Sequence, residues 1–423
     1  LNDHGVGHPQ RLLGEGREDR QDHLGNGPED AEANDGEPDD AVAVGGLEVV
    51  PQVTAAPVLA PSIARDLDLS PEWVGLYSGT VWGSALLISA WAGRIVERLG
   101  AWQTSRLCAV LCALGVAAAA SAHPLGLLAS AVLIGLGNGI EAPPASQVLA
   151  QHVPAARRPM FFSLKQSGVQ LGAVMASMSL PGLAIALGWR SALLAAALVV
   201  AGVGAALMLA MARHPAPAVP APSPGTGPRA GWRKVLRANP ALARLAIAAG
   251  AFGATQVCLN SFIVTFLVRE RGLELAQAGW VAALTQGSGL VGRLLWGWVA
   301  SRVLPSMSLL RALGCVMIVC ALTLGTLGAT MSMAALLPLA ALFGLSASGW
   351  NGVFLAEVAE RSPPGEIGAT TGAVMVLMMT GLVAGPLLFS TIASLSSLGG
   401  AYAAVSLIAL SGTLALPGPR ARA

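Results

Sequence analysis

Charged residues are scarce in this sequence. Of 423 residues, 11% are charged and 54% are hydrophobic, and the mean hydropathy is +0.64. A soluble domain carries about 25% charged residues, so the shortage argues against a water-soluble fold. Cysteine is sparse as well, and its five copies all lie in apolar runs, where they form no disulfide or metal-binding pattern.

Signatures of catalysis and of nucleotide use are also missing. No histidine lies inside an apolar run, so no nucleophile–base pair is indicated at membrane depth. No G-x-x-x-x-G-K-[ST] motif occurs, and the glycine-rich stretch at 135–139 lies within an apolar segment rather than after a strand. These absences argue against an enzyme and against ATP-driven transport. We expect no cofactor, no metal and no nucleic-acid partner.

Acids are concentrated at the beginning of the chain. Residues 1–40 hold 12 of the 23 acids and three arginines, so the other 383 residues hold 11 acids and 22 bases. The formal net charge of +2 therefore averages an acidic tail and a basic, apolar body. The tail has too little apolar surface to offset the entropy of ordering, and we expect residues 1–41 to be disordered. A misplaced start is the alternative explanation of this composition.

Long apolar stretches recur through the body, each close to the roughly 20 residues that a helix needs to cross a bilayer. Their continuous rather than alternating hydrophobicity favours helices over a barrel. The first is the weakest, because it contains Glu48, Gln52 and three prolines. We predict an all-α membrane protein with twelve transmembrane helices, at residues 42–63, 73–93, 102–122, 125–149, 160–184, 189–211, 242–267, 277–300, 307–328, 332–358, 366–393 and 398–416.

The positive charges predict the orientation of the chain. If residues 1–41 are cytoplasmic, 18 of the 22 body bases lie at or near the cytoplasmic ends of the spans. Only Arg65, Arg190, Arg269 and Arg271 fall on the other side. Membrane proteins keep Lys and Arg on the cytoplasmic side, so we expect a multi-pass protein of the cell inner membrane with both termini in the cytoplasm.

The two halves of the body resemble each other. The segment 93–100 overlays 297–304 at an offset of 204, and 135–154 overlays 344–363 at an offset of 209. Such parallel duplication is typical of one class of secondary transporters. We predict two pseudo-symmetric six-helix bundles, so that the domains are a tail (1–41), a first bundle (42–212), a proline-rich basic cytoplasmic linker (213–240), a second bundle (241–417) and a cytoplasmic tail (418–423).

A short motif follows the second span of each half. The first copy contains Gly93, Glu97, Arg98 and Gly100, and the second contains Arg293, Gly297 and Arg302, with serine where an acid is usual. This pattern resembles the G-x-x-x-D-[RK]-x-G motif of the major facilitator superfamily, with glutamate in the aspartate place. The resemblance covers about residues 45–416 and implies that family's fold, with these residues as a cytoplasmic gating motif.

Two other segments bear on which branch of the family the sequence resembles. In span eleven, glycines followed by Gly385-Pro386 resemble the family's antiporter motif, but that motif belongs in span five. Span five lacks the Gly-Pro step, which argues against a drug:proton antiporter. Its start, KQSGVQLG (165–172), resembles the branch that includes cyanate- and organic-anion-type carriers.

Few polar residues lie deep within the predicted spans, where they are expensive to place. Glu141 in span four, close to Asn138, is our first candidate for a proton acceptor, and Glu48 in span one is the second. The alternative for Glu141 is a structural pairing with a neighbouring polar group. The family resemblance implies that spans one, four, seven and ten line the central cavity.

Amides supply the remaining candidates for a substrate site. Gln52 and Gln256 are equivalent in the repeat, and Asn260 follows one turn later, which predicts substrate hydrogen bonds, with interhelical bonding as the alternative. In span ten, Trp350 and Asn351 overlay Glu141 and its neighbour. A tryptophan and an amide that face an acid across a cavity suit a small polar or aromatic ligand.

These observations predict a secondary active transporter that moves a small solute, an organic anion or similar metabolite, by alternating access with protons as the coupling ion. A multidrug efflux antiporter is the alternative within the class. A membrane-embedded enzyme and a non-transporting sensor are the alternatives from other classes. The expected partners are the substrate, protons and the lipid bilayer, and the sequence implies no oligomer.

Overall fold

The fold is known from a computed structural model, which describes residues 52–152, 158–213, 232–363 and 367–418. Glu48 and the acidic tail lie outside these residues. The described residues form helices and connecting turns without β-strands, as predicted. The helices are α1 (Gln52–Val58), α2 (Ala60–Asp66), α3 (Trp73–Ala119), α4 (Pro124–His152), α5 (Arg158–Leu187), α6 (Trp189–Arg213), α7 (Trp232–Ala238), α8 (Pro240–Arg269), α9 (Leu275–Arg302), α10 (Ser306–Leu327), α11 (Met333–Ala347), α12 (Asn351–Arg361), α13 (Ile367–Leu395) and α14 (Leu398–Ala415).

Length and hydropathy identify most of the predicted spans. Within the described ranges, eight helical segments are long and apolar enough to cross a bilayer, with α11 and α12 together forming one of them. A ninth is the second part of α3 if it is joined to the segment before its bend. The first predicted span coincides in part with α1 and α2, two short helices that meet near Leu59. The all-helical membrane fold is confirmed, while this criterion alone accounts for fewer than twelve spans.

Helix α3 contains the predicted second and third spans and bends sharply between them. Gly100 has φ 79° and ψ 160°, a conformation that residues with a Cβ rarely adopt. The helical segments on its two sides, 94–100 and 103–119, are bent by 112°. Thr104 Oγ1 donates to the Gly100 carbonyl at 2.8 Å and begins the next segment. Gly100 of the predicted gating motif is therefore the turn between two spans.

Helices from the two halves of the chain are in direct contact. Helix α13 packs against α3, and α9 packs against α5. Helix α1 packs against α8 as well as against α3 and α5. Within the second half, α8 lies against α13 and α14, and its residues Phe262 and Phe266 are fully buried with Phe389 and Tyr402. The first and second halves thus share an extensive interface.

Arginines bind the free carbonyl groups at the end of α14. The last carbonyls of a helix have no partner within it and carry partial negative charge. Guanidinium groups from α8, α10 and α12 converge on this helix end and on the residues that follow it: Arg244 donates to Ala415 and Leu416, Arg311 to Pro417 and Arg361 to Gly418. We call this side of the molecule, where α8 begins and α9 and α14 end, the arginine-rich end.

Small residues allow α9 and α11 to approach closely. A Cβ on Gly292 would overlap the Leu345 carbonyl oxygen, and one on Gly344 would overlap the Thr285 carbonyl oxygen. Close approach of backbones is a main source of helix association in lipid, where dispersion replaces the hydrophobic effect. By contrast, Gly297, one of the residues of the gating motif, has no atom within 4 Å of an added Cβ.

The two glycines of α9 therefore make a matched test. Gly292→Ala is expected to lower stability by about 1–3 kcal/mol, because the new methyl forces the helices apart. Gly297→Ala gains helix propensity without a clash, so its stability should stay equal or rise by about 1 kcal/mol. Thermal unfolding in detergent micelles measures both, and equal effects of the two variants would contradict the close contact.

Candidate functional site

The tenth predicted span is broken at membrane depth. Helix α11 ends at Ala347 and α12 begins at Asn351, so the intervening turn leaves carbonyl groups without helical partners. Helix α9 satisfies two of them: Arg293 Nε donates to the Ser348 carbonyl at 3.2 Å, and Trp296 Nε1 donates to the Leu345 carbonyl at 2.8 Å. Irregular backbone is tolerated within a bilayer where protein groups or a cavity satisfy it.

An amide pair lies beside this break. Asn351 Nδ2 donates to Gln256 Oε1 at 3.3 Å and so joins α12 to α8. Asn260, one turn after Gln256, is half-buried, and its Oδ1 atom has no hydrogen-bond partner within the described part of the chain. The structure thus brings two of the predicted substrate residues together and leaves an acceptor atom beside them.

A second amide pair joins the two halves of the chain. Gln170 Nε2 on α5 donates to Gln286 Oε1 on α9 at 2.7 Å, and both side chains are buried. Gly289, on α9, lies between Gln170 and the break in span ten: an added Cβ would lie 3.0 Å from Gln170 Nε2 and 3.2 Å from Ser348 Oγ, and Asn351 Nδ2 also donates to the Ser348 carbonyl at 3.5 Å. We call Gln170, Gln286, Ser348, Asn351 and Gln256 the polar cluster.

The polar cluster lies near the midpoint of its spans. Gln256, Gln286 and Gln170 are each close to the central residue of their helices, and Ser348 and Asn351 flank the break in span ten. Its members come from α5 in the first half and from α8, α9 and α12 in the second. A polar cluster at this depth and between two halves is the arrangement expected of a solute site in a transporter.

Trp350 lies in the apolar core of the second half. It is fully buried and makes edge-to-face contacts with Phe252 and Phe354, at centroid distances of 5.6 and 5.2 Å. Its indole Nε1 has no hydrogen-bond partner in the part of the chain that the structure describes. The ring therefore fills the core beside the polar cluster, and the neighbouring Asn351 reaches Gln256.

Glu141 lies in the first half on α4, which packs most extensively against α3. Its side chain is half-buried, one turn after Asn138. Asn138 Nδ2 donates to the Ile134 carbonyl of its own helix at 2.9 Å. Around them, Gly135 and Gly139 bring α4 against the α3 backbone at Val81 and Ala85. Both residues are near the middle of α4, as predicted from the sequence.

The other predicted site residues lie outside the described residues or away from the polar cluster, except for Arg293. Glu48 lies outside the described residues, and Gln52 begins α1 with its side chain outside them. In the gating motif, Glu97 and Arg98 are exposed. The surroundings of Gly93 lie outside what the structure describes. Arg302 ends α9 and is exposed, whereas Arg293 is bound to the broken span rather than placed at the helix end.

The two halves also meet on the side opposite the arginine-rich end. Ser390 Oγ on α13 donates to the Glu72 carbonyl at 2.7 Å, beside Gly75 on α3, where an added Cβ would overlap Ser390. Likewise, a Cβ on Gly279 of α9 would lie 2.6 Å from the Ser177 carbonyl of α5. We call this side, where the halves touch at both interfaces, the closed end.

Two further contacts were not predicted from the sequence. Ser78 Oγ on α3 donates to Ser261 Oγ on α8 at 3.0 Å, between the closed end and the polar cluster. Asp66, which ends α2, accepts from Trp189 Nε1 and from Arg190, both at 3.1 Å. Trp189 and Arg190 begin α6, so these bonds join α2, in the first predicted span, to the sixth.

Nothing in the described residues resembles a metal centre, since no group of three or more His, Cys, Asp or Glu side chains is positioned to bind an ion. The chain is thus a helical membrane protein with a polar cluster between two halves, an arrangement characteristic of secondary transporters.

A family model described as Major Facilitator Superfamily matches residues 50–386, and the chain belongs to that family. Membership places it among membrane transporters and not among enzymes, as the sequence predicted. Similar proteins include an MFS-type efflux pump of Mycolicibacterium smegmatis, 29% identical over 58% of this chain and 58% of that protein. A gallate transporter of Pseudomonas putida is 24% identical over 65% of this chain and 67% of that protein. The chain thus spans only about three fifths to two thirds of these relatives.

Solved transporter structures share the fold. A POT family transporter in complex with a thioalcohol-conjugated peptide has a TM-score of 0.72 at 13% identity, over 90% of this chain and 96% of that one. The nucleoside transporter NupG has a TM-score of 0.70 at 14% identity, over 89% and 98%. A bacterial homologue of the lysosomal transporter Spinster, in an inward-facing and unoccupied conformation, has a TM-score of 0.67 at 17% identity, over 89% and 93%.

The amide pair between the halves can be tested by a double-mutant cycle. Gln170→Leu and Gln286→Leu should each destabilise the protein by about 1–3 kcal/mol, because each leaves a buried amide without its partner. The double variant should cost less than the sum, with a coupling energy of about 0.6–1.7 kcal/mol. Unfolding in detergent measures the cycle.

A matched cycle uses Ser179→Ala in place of Gln170→Leu. Ser179 is exposed on the same helix and donates only to the Met175 carbonyl, so its effect should add to that of Gln286→Leu. Additive effects in the glutamine cycle itself would contradict the interaction.

Proposed function

We propose that this protein is a secondary active transporter that moves a small organic anion by alternating access, with the polar cluster as part of the solute site. The observation that carries this proposal is the cluster itself. Its side chains form hydrogen bonds at mid-membrane depth and come from both halves. A solute bound there contacts both halves and exchanges hydrogen bonds with groups that move relative to one another.

The chemistry of the cluster suits a polar ring with an acidic group. Amides supply both donors and acceptors, and the Asn260 Oδ1 acceptor lies one turn from Gln256. Arg293, which binds the Ser348 carbonyl beside the cluster, supplies positive charge for a carboxylate. The similarity to a gallate transporter favours aromatic carboxylates as the first solutes to examine.

Alternating access requires the halves to separate where they now touch. The contacts at the closed end involve Gly75 with Ser390 and Gly279 with Ser177, close approaches that a rocking motion can break without stretching covalent structure. Because these contacts close the end opposite the arginine-rich end, they support a state in which the solute enters or leaves through the arginine-rich end, which we propose is cytoplasmic. The distribution of positive charges favours the same orientation, and we propose an inner-membrane location with cytoplasmic termini.

A cross-link at the interface tests this motion. Ser78→Cys and Ser261→Cys together should form a disulfide on oxidation, because the two hydroxyl oxygens are 3.0 Å apart. The oxidised double variant is expected to lose at least 90% of its transport, and dithiothreitol should restore it. Either single variant, treated in the same way, controls for the native cysteines. Full transport by the cross-linked protein would contradict separation of α3 from α8.

Protons are the coupling ion that we propose, with Glu141 as the acceptor. Of the predicted intramembrane acids, Glu141 is the one within the described residues. Charged residues on α3, its main neighbour, are Arg94, Glu97, Arg98 and Arg106. A half-buried carboxylate on a helix of the predicted cavity can exchange protons with the solvent on each side in turn.

Uptake into proteoliposomes tests both the transport and its coupling. An imposed pH gradient should raise gallate uptake in the wild-type protein, and Glu141→Gln should abolish that response while exchange of gallate at equal pH remains. Glu274→Gln, which changes an exposed acid before α9, is the matched control and should behave as wild type. An unchanged pH response in Glu141→Gln would remove the coupling role.

A second candidate function is efflux of drugs. The similarity to an MFS-type efflux pump is the observation that favours it, and it predicts export of a solute rather than uptake. Counterflow across organic anions, sugars and drugs distinguishes the two functions. If no solute in this panel exchanges, the transport function itself is contradicted.

A further inference from the structure

A pocket lies on the protein surface at the elbow between α7 and α8, away from the polar cluster. Its volume is about 490 Å³, and it is lined by Arg233, Leu236, Arg237, Pro240 and Ala243. The two arginines are one helical turn apart and exposed, and none of these lining residues is an acid. The transport mechanism proposed above uses none of them.

The elbow is held in place by the core and by a helix cap. Leu236 is buried with 6% of its surface exposed, and α7 packs against α8 and α13. Asn239 Oδ1 accepts from the backbone of Ala241 and Leu242, at 3.1 and 3.2 Å, and its Nδ2 donates to the Arg361 carbonyl at 3.4 Å. These contacts fix the position of α7 relative to α8 and to Arg361.

The pocket lies at the beginning of a candidate membrane span. Pro240 is the first residue of α8, a segment of 30 residues that is apolar enough to span a bilayer. Residues that immediately precede such a span are at the level of lipid headgroups. The apolar wall of the pocket is formed by Pro240, Ala243 and the buried Leu236, and the basic side of the pocket by the two arginines, whose charged groups favour the headgroup level.

We propose that the Arg233–Arg237 pocket binds the phosphate of an anionic phospholipid, with the start of its acyl chains against Pro240 and Ala243 in the first turns of α8. Guanidinium groups donate two parallel hydrogen bonds to phosphate oxygens, and a pair of them neutralises a phosphodiester and a second headgroup charge. The apolar wall distinguishes a lipid from a free phosphate ion, which gains nothing from Leu236 or Ala243. Bound lipid fastens α7, and with it the start of α8, to the membrane surface.

Native mass spectrometry of the full-length protein in detergent, titrated with phosphatidylglycerol, tests this site. The double variant Arg233→Gln/Arg237→Gln should bind the lipid about 30-fold more weakly, as expected for the loss of two basic contacts. The single variant Arg237→Gln should lose about fivefold, and it provides the test if the double variant does not fold. Lys234→Gln is the matched control, an exposed base on the same helix that does not line the pocket, and it should lose less than twofold.

Three outcomes would overturn the proposal. Equal losses in Arg237→Gln and Lys234→Gln would mean that surface charge acts without a site. Equal binding of phosphatidylcholine and phosphatidylglycerol would remove the requirement for an anionic lipid. Displacement of phosphatidylglycerol by an equimolar amount of inorganic phosphate would identify a free anion as the ligand instead.

Discussion

Every backbone N–H and C=O group inside a bilayer needs a partner, because hydrocarbon offers none and an unsatisfied group costs several kcal/mol. This constraint explains why the described spans are helices and why their exceptions have specific partners. The break after Ala347 exposes carbonyl groups, and Arg293 and Trp296 of the neighbouring helix bind two of them. At the end of α14, arginines from three helices do the same.

The bilayer hydrocarbon also determines what holds the helices together. In lipid, apolar side chains gain little by meeting each other, so association depends on close backbone approach and on a few hydrogen bonds. Gly292 and Gly344 provide the close approach within the second half, and Gly75 and Gly279 provide it between the halves. Contacts of this kind can separate and re-form at modest cost, as a transporter with two alternating states requires.

The polar cluster combines a break in a helix with a contact between the two halves. It occupies the level where span ten is broken, and the amide pair of Gln170 and Gln286 crosses from one half to the other. A solute that binds there replaces hydrogen bonds which the protein otherwise makes with itself. The proposed lipid site at Arg233 and Arg237 is separate from it, and it concerns how the second half is held at the membrane surface.

The sequence by itself determined the helical membrane fold, the family and most of the span positions, because hydropathy and charge act locally along the chain. It also led to Gln256 and Asn351, which the structure joins, since polar residues are rare at that depth. It missed Gln170 and Gln286, whose importance depends on two helices from different halves meeting. It did not distinguish Gly292, which meets Leu345, from Gly297, which has open space beside it, because helix rotation sets which face meets a neighbour. Only tertiary structure decides such pairings, since they depend on the packing of distant segments.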